Sequence, residues 1–482
     1  MSLRTRQFRL RRPQRQAGVV ILLMLTVFVV TASWLLLRSL NAANGQIARE
    51  QEEIRLLSQA KEALLAYAVM PGGAELGQLP WPDVLNTISE ASPDYDGTQD
   101  LHCPDTSSSI RPSLNVNSRC FGRLPWRSLN MTPQAIEQQD GFGLIPWYAV
   151  SANLLDAACL AGKLNPAILN WTYPASPVRA CNVANQLPYP WLTVRDHLGN
   201  VLSNRVAFVL ILPRVKVNTQ NRRLPLGIPR QYLDQVTVAS TCTAPCVPGV
   251  YDNGAFSPGN DFIMGKDMSL VKGNDSNYGH PYVFNDRLLY VTIDELMQYL
   301  QKRAMQEARN ALRNFFTSKA YFPYAAALGV SGNACDNTKN SGFLPLALGT
   351  CASGDFLSGL PSWFNSASWG NFIYYHAAAA CTPGSSNCNG PGSLLQAGSQ
   401  GSLRAILIGT GRPIKLVAGQ TPDMSTPPYA ASAGRDQTGC CSSTLLQDYL
   451  DSVTNAAGNG AYDAVGTAMS TQYNDVQMVV SP

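Results

Sequence analysis

The feature that most constrains this chain is its first seventy residues, where a basic leader runs into a long uncharged apolar stretch and then an amphipathic one. The leader carries Arg4, Arg6, Arg9, Arg11, Arg12 and Arg15 and no acidic residue. Residues 19–37 contain no charge, and Arg38 closes the run. At about 1.5 Å per residue, a helix over that run reaches roughly across a bilayer's hydrocarbon core. One-sided arginines predict a cytoplasmic N-terminus, with everything after Arg38 on the other side. A cleaved signal peptide fits less well, because its apolar region is about 7–15 residues and is followed by a small-residue site. Here the small pair Ala42-Ala43 lies beyond Arg38.

The helical pattern continues past the apolar run. Leu40, Ile47, Ile54, Leu57, Leu64 and Leu65 recur at helical spacing, with Glu50, Glu52, Glu53, Arg55, Lys61 and Glu62 between them. Pro71-Gly72-Gly73 is a stop signal. The expectation is one rod helix over 19–70, about 75 Å long, half in a membrane and half out.

Gly18 before the apolar run, the basic leader 1–18 and the rod ending in Ala60-Lys61-Glu62-Ala63-Leu64-Leu65-Ala66-Tyr67 resemble a type IV pilin or type II secretion pseudopilin. The resemblance implies cutting between Gly18 and Val19 by a prepilin peptidase, methylation of the new N-terminus, and packing of the rod with other pilins or pseudopilins. Two residues depart from the family pattern. Val19 stands where Phe or Met is commoner, and Leu23 stands at mature position five, where most pilins carry Glu. A carboxylate in lipid is costly without a partner, so its loss removes a register-fixing contact. In the family that loss is tolerated in minor subunits at the filament tip, notably the K-type pseudopilin.

Composition bounds the remainder. Charged residues are only 14%, and the net charge of +4 is exceeded by the leader's arginines, so the rest is close to neutral. No basic patch points to nucleic acid. All cysteines follow the apolar run: Cys103, Cys120, Cys159, Cys181, Cys242, Cys246, Cys335, Cys351, Cys381, Cys388, Cys440 and Cys441. An even count on the translocated side predicts disulfides. Sequential pairing is the simplest scheme: Cys103–Cys120, Cys159–Cys181, Cys242–Cys246, Cys335–Cys351 and Cys381–Cys388, with Cys440-Cys441 either vicinal or paired elsewhere. Zinc is disfavoured, since there is no C-x-x-C and His102, His197, His280 and His376 are scattered.

An internal repeat is the strongest organising signal. The rod end at 60–67 corresponds to a second helix beginning near the cap residue Thr292, with Asp294-Glu295 in its first turn, and ending near Ser318. Cys103-Pro104-Asp105-Thr106 corresponds to Cys335-Asp336-Asn337-Thr338, and Gly122-Arg123-Leu124-Pro125 to Gly342-Phe343-Leu344-Pro345. Aromatic segments 147–151 and 372–376 lead to Cys159 and Cys381, and apolar strands follow at 206–212 and 403–408. Gln231-Tyr232-Leu233-Asp234 matches Gln447-Asp448-Tyr449-Leu450-Asp451, and both copies close on Asn-Asp plus a strand, at 285–291 and 474–480. The expected fold class is α+β: a long N-terminal transmembrane helix followed by two pilin-like units of helix plus antiparallel sheet, stapled by disulfides. The domains are the leader 1–18, the rod 19–70, a first periplasmic unit 71–291, and a linking helix with a second unit 292–482. A hairpin is expected around Gly199-Asn200.

No G-x-S-x-G, H-E-x-x-H or Walker A motif is present, so the chain reads as a non-enzyme that requires no cofactor. Gly409-Thr410-Gly411-Arg412 reads as a turn. Asp94, Asp96 and Asp100 alternate around Gly97 in the manner of a Ca2+ loop without an EF-hand's terminal glutamate; calcium in a head loop is also what the resemblance implies. Asp252-Asn253-Gly254 reads as an ordinary turn. Trp81, Trp126, Trp147, Trp171, Trp191, Trp363 and Trp369 read first as filling for cores beneath long loops, and second as surface-binding groups. The functional expectation is a minor pilin-like structural subunit in the bacterial inner membrane, with lipid, the prepilin peptidase and other pilins as partners, assembled into or capping a filament. The alternative is a single-pass membrane-anchored periplasmic adhesion or binding protein.

Overall fold

The structure is a computed structural model, and it describes residues 17–70, 75–84, 96–100, 120–132, 145–155, 164–170, 189–214, 231–238, 246–254, 261–265, 286–347, 359–385, 394–411, 443–469 and 473–481, with isolated positions between them. Two units are distinguished, residues 1–59 and residues 60–482.

The first unit contains most of helix α1 (Ala17–Val69). Its apolar stretch keeps its few hydroxyls satisfied internally. Thr26 donates to the Leu23 carbonyl at 2.9 Å, and Thr31 to the Val27 and Phe28 carbonyls at 2.9 Å. Glu52 and Arg55 pair one turn apart on the later, polar stretch.

Two expectations are corrected here. Among the described residues no helix is long and apolar enough to cross a membrane. The long transmembrane helix of the expected fold class is therefore not found, and the single-pass inner-membrane placement is withdrawn with it. The fold is a mixed α+β structure made mostly of strands.

In the second unit, residues 60–69 of α1 bury Ala60, Leu64, Leu65 and Ala68. The chain then builds β1 (Cys120–Arg123), β2 (Trp147–Val150), β3 (Leu192–Arg195), β4 (Val201–Leu212), β5 (Gln235–Val238), β6 (Gly249–Asp252), β7 (Asp261–Ile263) and β8 (Arg287–Thr292). Helix α2 (Ile293–Lys319) follows directly. Thr292 caps it by accepting the Glu295 N–H at 3.1 Å, and Ala320 ends it in the left-handed region at φ 61°. Asp294 receives two hydrogen bonds from Arg205, at 2.8 and 3.1 Å, and Glu295 pairs with Lys61 at 2.5 Å. The first turn of α2 is thereby fixed to β4 and to the end of α1.

The last third carries β9 (Ser341–Phe343), α3 (Ser362–Ser366), β10 (Ile373–Ala377), β11 (Leu395–Ala397), β12 (Gln400–Leu403), β13 (Ala405–Gly409), α4 (Val453–Ala456), β14 (Ala461–Tyr462) and β15 (Val476–Ser481). A six-stranded sheet runs β1-β2-β4-β3-β7, with β8 also paired to β4; a four-stranded sheet runs β15-β13-β10-β9. Smaller sheets are β12-β11-β14 and β5-β6. The sheets are not purely antiparallel as expected: short β7 and β14 join β3 and β11 in parallel.

The path β1-β2-β4-β8 and the path β9-β10-β13-β15 have the same all-antiparallel order. Their registers also coincide. Gly122 lies opposite Tyr148 and Gly342 opposite Tyr375; Tyr148 lies opposite Leu210 and Tyr375 opposite Leu407. Both tyrosines are fully buried, and each donates to a proline carbonyl, Pro80 at 3.2 Å and Pro323 at 2.9 Å. Asp83 and Arg123 exchange backbone hydrogen bonds, as do Ala326 and Phe343. A Cβ at Gly122 would lie 2.3 Å from the Asp83 carbonyl oxygen, and one at Gly342 would lie 2.0 Å from that of Ala326. Only glycine permits either approach.

The first sheet's core joins Phe121, Trp147, Val194, Val209, Ile211, Tyr232 and Phe262. Full burial of each such side chain contributes roughly 1.5–3 kcal/mol. The expected hairpin is present: β3 and β4 pair across a turn in which Asp196 Oδ1 accepts the Leu198 and Asn200 N–H groups, with Gly199 at φ 84°.

Candidate functional site

The N-terminal part of α1 is the most exposed apolar surface described. Val20 is 55% exposed, Leu22 68%, Phe28 73% and Leu35 59%. These residues cover the helix all round rather than along one stripe, a pattern found where a helix is enclosed on every side. Gly18 and Val19, the candidate processing pair, lie in the first turn of α1.

Of the calcium candidates, Asp94 lies outside the described residues. The carboxylates of Asp96 and Asp100 are turned to local backbone. Asp96 Oδ1 accepts the Thr98 N–H at 2.7 Å and its hydroxyl at 2.5 Å, which holds its carboxyl below the usual range. Asp100 Oδ2 accepts the Val84 N–H at 2.7 Å. Among the described residues no group of three or more His, Cys, Asp or Glu side chains could hold a metal.

Asp83 is the carboxylate that sequence reasoning missed. It is buried, and its Oδ2 accepts the Gly97 N–H at 2.8 Å. Burial pushes it up to about 7; the Gly97 bond and Arg123 oppose that rise, while Asp100 and Asp96 add to it.

Cys335 pairs with Cys351 and Cys381 with Cys388, as sequential pairing expects. Cys120 and Cys246 are also disulfide-bonded. Cys103, Cys159, Cys181, Cys242, Cys440 and Cys441 lie outside the described residues. Trp147, Trp191, Trp363 and Trp369 are buried and Trp81 and Trp126 half-buried, whereas Trp171 is outside the described residues. Those four buried tryptophans fill cores.

Two buried polar clasps close the two sheets in the same way. In the first, Asp286 Oδ2 accepts the Asp234 N–H at 2.8 Å and the Asn253 amide at 3.1 Å, and Asp234 Oδ2 in turn accepts the Asp286 N–H at 3.2 Å. In the second, Asp475 Oδ2 accepts the Asp451 N–H at 3.0 Å and the Asn455 amide at 2.9 Å, while Asp451 accepts the Asn474 N–H. Asn253, expected in an ordinary turn, is wholly buried and also ties down Ile263. Such clasps lock a loop to the start of the closing strand.

The second sheet has one feature the first lacks. His376 on β10 occupies the position of Ala149 on β2, opposite Ser341 where β2 has Phe121 as its partner. His376 is buried, which lowers its pKa to about 4 and keeps the ring neutral. Its Nδ1 bonds the Tyr462 hydroxyl, its Nε2 meets the Asn340 amide at 3.2 Å, and Tyr462 and Tyr374 hydroxyls are 3.3 Å apart. The cluster opens onto a cleft of about 510 Å3. The repeated Asn-Asp and Leu-Asp steps were a sequence signal for the clasps; nothing in the sequence marked His376.

Comparison with protein-family models, with curated proteins and with solved structures finds no match.

Proposed function

We propose that this chain is a minor pilin- or pseudopilin-like structural subunit that joins a filament of the type IV pilus or type II secretion kind. The apolar end of α1 packs among the rods of neighbouring subunits, and the strand-rich second unit is its head. The observation that carries this reading is the exposed, all-round apolar surface at residues 20–35 on a continuous 53-residue helix. A surface of that kind is stable only when covered. The basic leader and Gly18-Val19 supply the processing signal for a prepilin peptidase, and Leu23 in place of glutamate suits a tip or priming position rather than repeated stacking. Neither motif nor metal cluster is needed for such a role, which is assembly and not catalysis.

The test is photocrosslinking in cells from a reactive analogue placed at Phe28, an exposed position on the rod. Crosslinks to other pilin-type rods are expected, and Leu25→Asp should remove them while the head still folds. Crosslinks confined to unrelated proteins, unchanged by Leu25→Asp, would contradict the reading.

A further inference from the structure

The cleft at the second sheet lies between the β9–β10 edge and the β11–β14 pair. Its volume is within the range of small-molecule sites. Polar groups of Asn340, Ser341, His376, Gln396 and Asn459 line it, and Leu394, Leu395, Ala379 and Ala461 supply apolar patches between them. Among the described residues that line it there is no Asp, Glu, Lys or Arg.

His376, one of the lining residues, is backed by a chain of hydrogen bonds. The neutral His376 ring offers one acceptor and one donor. The Asn340 amide donates to Nε2, so Nδ1–H donates to Tyr462. The Tyr462 and Tyr374 hydroxyls lie 3.3 Å apart, and Tyr374 also bonds the Ser341 side chain. Ser341 itself lines the cleft beside this network. At the rim, the exposed Asn459 accepts the Ala461 N–H on Oδ1 at 3.1 Å.

This arrangement selects its ligand by chemistry. A charged ligand would be desolvated there with no opposite charge to meet. A purely apolar one would leave the hydroxyl and amides unpaired. An extended peptide needs a strand edge to pair with, and the edges that reach the cleft, β9 and β14, are only three and two residues long. A hydroxyl-rich pyranose, with polar rims and C–H faces, matches both the amide groups and the small apolar patches.

We propose that this cleft is a binding site for a neutral saccharide, held by Ser341, Gln396 and Asn459 beside the His376–Tyr462–Tyr374 network. The inference goes beyond filament assembly and stands on the cleft alone.

The test is saturation-transfer NMR on the full chain with maltotriose, cellotriose and triacetylchitotriose at millimolar concentration. Transfer to at least one sugar is expected. Ser341→Ala and Asn459→Ala should each weaken binding by about fivefold or more, the effect of one lost hydrogen bond. Asn459 and Ala379 are exposed, so Asn459→Ala and Ala379→Trp should fold normally, and the bulky Trp at the rim should abolish binding. No transfer to any of the sugars, or equal binding in Asn459→Ala and Ala379→Trp, would overturn the proposal. So would displacement of every sugar by an uncharged tetrapeptide amide at lower concentration.

Discussion

The two main sheets of this molecule share a framework and differ in what they bury. Each pairs four antiparallel strands in the same order, places a glycine against a backbone carbonyl, buries a tyrosine on a proline carbonyl and closes with an Asp–Asp–Asn clasp. The differences lie on top of that scaffold. Arg123 in the first sheet stacks on Trp147 at 4.2 Å and Tyr232 at 4.8 Å; the matching Phe343 meets Tyr449 edge-on at 4.8 Å. Asp83 in the first is answered by Ala326 in the second, and Ala149 by His376. The shared parts are those that fix the backbone, and the divergent parts are titratable groups and a cleft. The two halves therefore repeat one backbone framework.

The largest expected effects test the shared framework. Gly342→Ala places a Cβ on the Ala326 carbonyl at a glycine with φ 157° and should cost about 4 kcal/mol, combining overpacking with backbone strain. Gly122→Ala should cost about 3 kcal/mol from the clash alone. Denaturant titration measures both, and a negligible cost at either would break the equivalence. Next come the clasps. Asp286→Ala and Asp475→Ala each remove two hydrogen bonds to a buried carboxylate and should each lose about 3 kcal/mol. A large effect at one and none at the other would mean that the clasps are not counterparts. Opening Cys381–Cys388, a staple with no partner at Leu154 in the first sheet, should cost about 2 kcal/mol by loop entropy for its short loop.

The smallest effect is a pair of pH slopes of opposite sign. His376 is lowered to about 4 from an ordinary 6.5, so its contribution to stability is present above 6.5 and is lost as pH falls towards 4. Asp83 is raised from 3.8 to about 7, so the folded state holds the extra proton and stability declines as pH rises from about 4 to 7. The two oppose each other between pH 4 and 6.5. Thermal unfolding of Asp83→Asn should therefore show stability rising with pH across that window, and His376→Gln should show it falling. Parallel profiles in the two variants would refute the assignment.

Much of the framework was readable from residues close together in the chain. Thr292 with Asp294-Glu295 located the start of α2, Gly199-Asn200 located the hairpin, and Cys335 and Cys381 found the partners that nearest-neighbour pairing assigns. The His376–Tyr462 contact joins residues far apart in sequence with no periodic signal, and it was invisible for that reason. Asp83 carried no local signal either, because its burial depends on the bridge it makes to Arg123 of β1, forty residues on. Cys159, the expected counterpart of Cys381, lies outside the described residues. The backbone bond from Phe322 to the Cys381 carbonyl is repeated by Leu79 to Leu154, so Leu154 holds that place. The membrane-spanning expectation rested on the uncharged run and the basic leader before it, and among the described residues no helix is long and apolar enough to cross a membrane.

The most direct test of the filament reading is the mature N-terminus of the full chain, determined by mass spectrometry from cells with and without the prepilin peptidase. A start at Val19 only when the peptidase is present, carrying an N-methyl group, is the result the account predicts. A start at Met1 in both would contradict it.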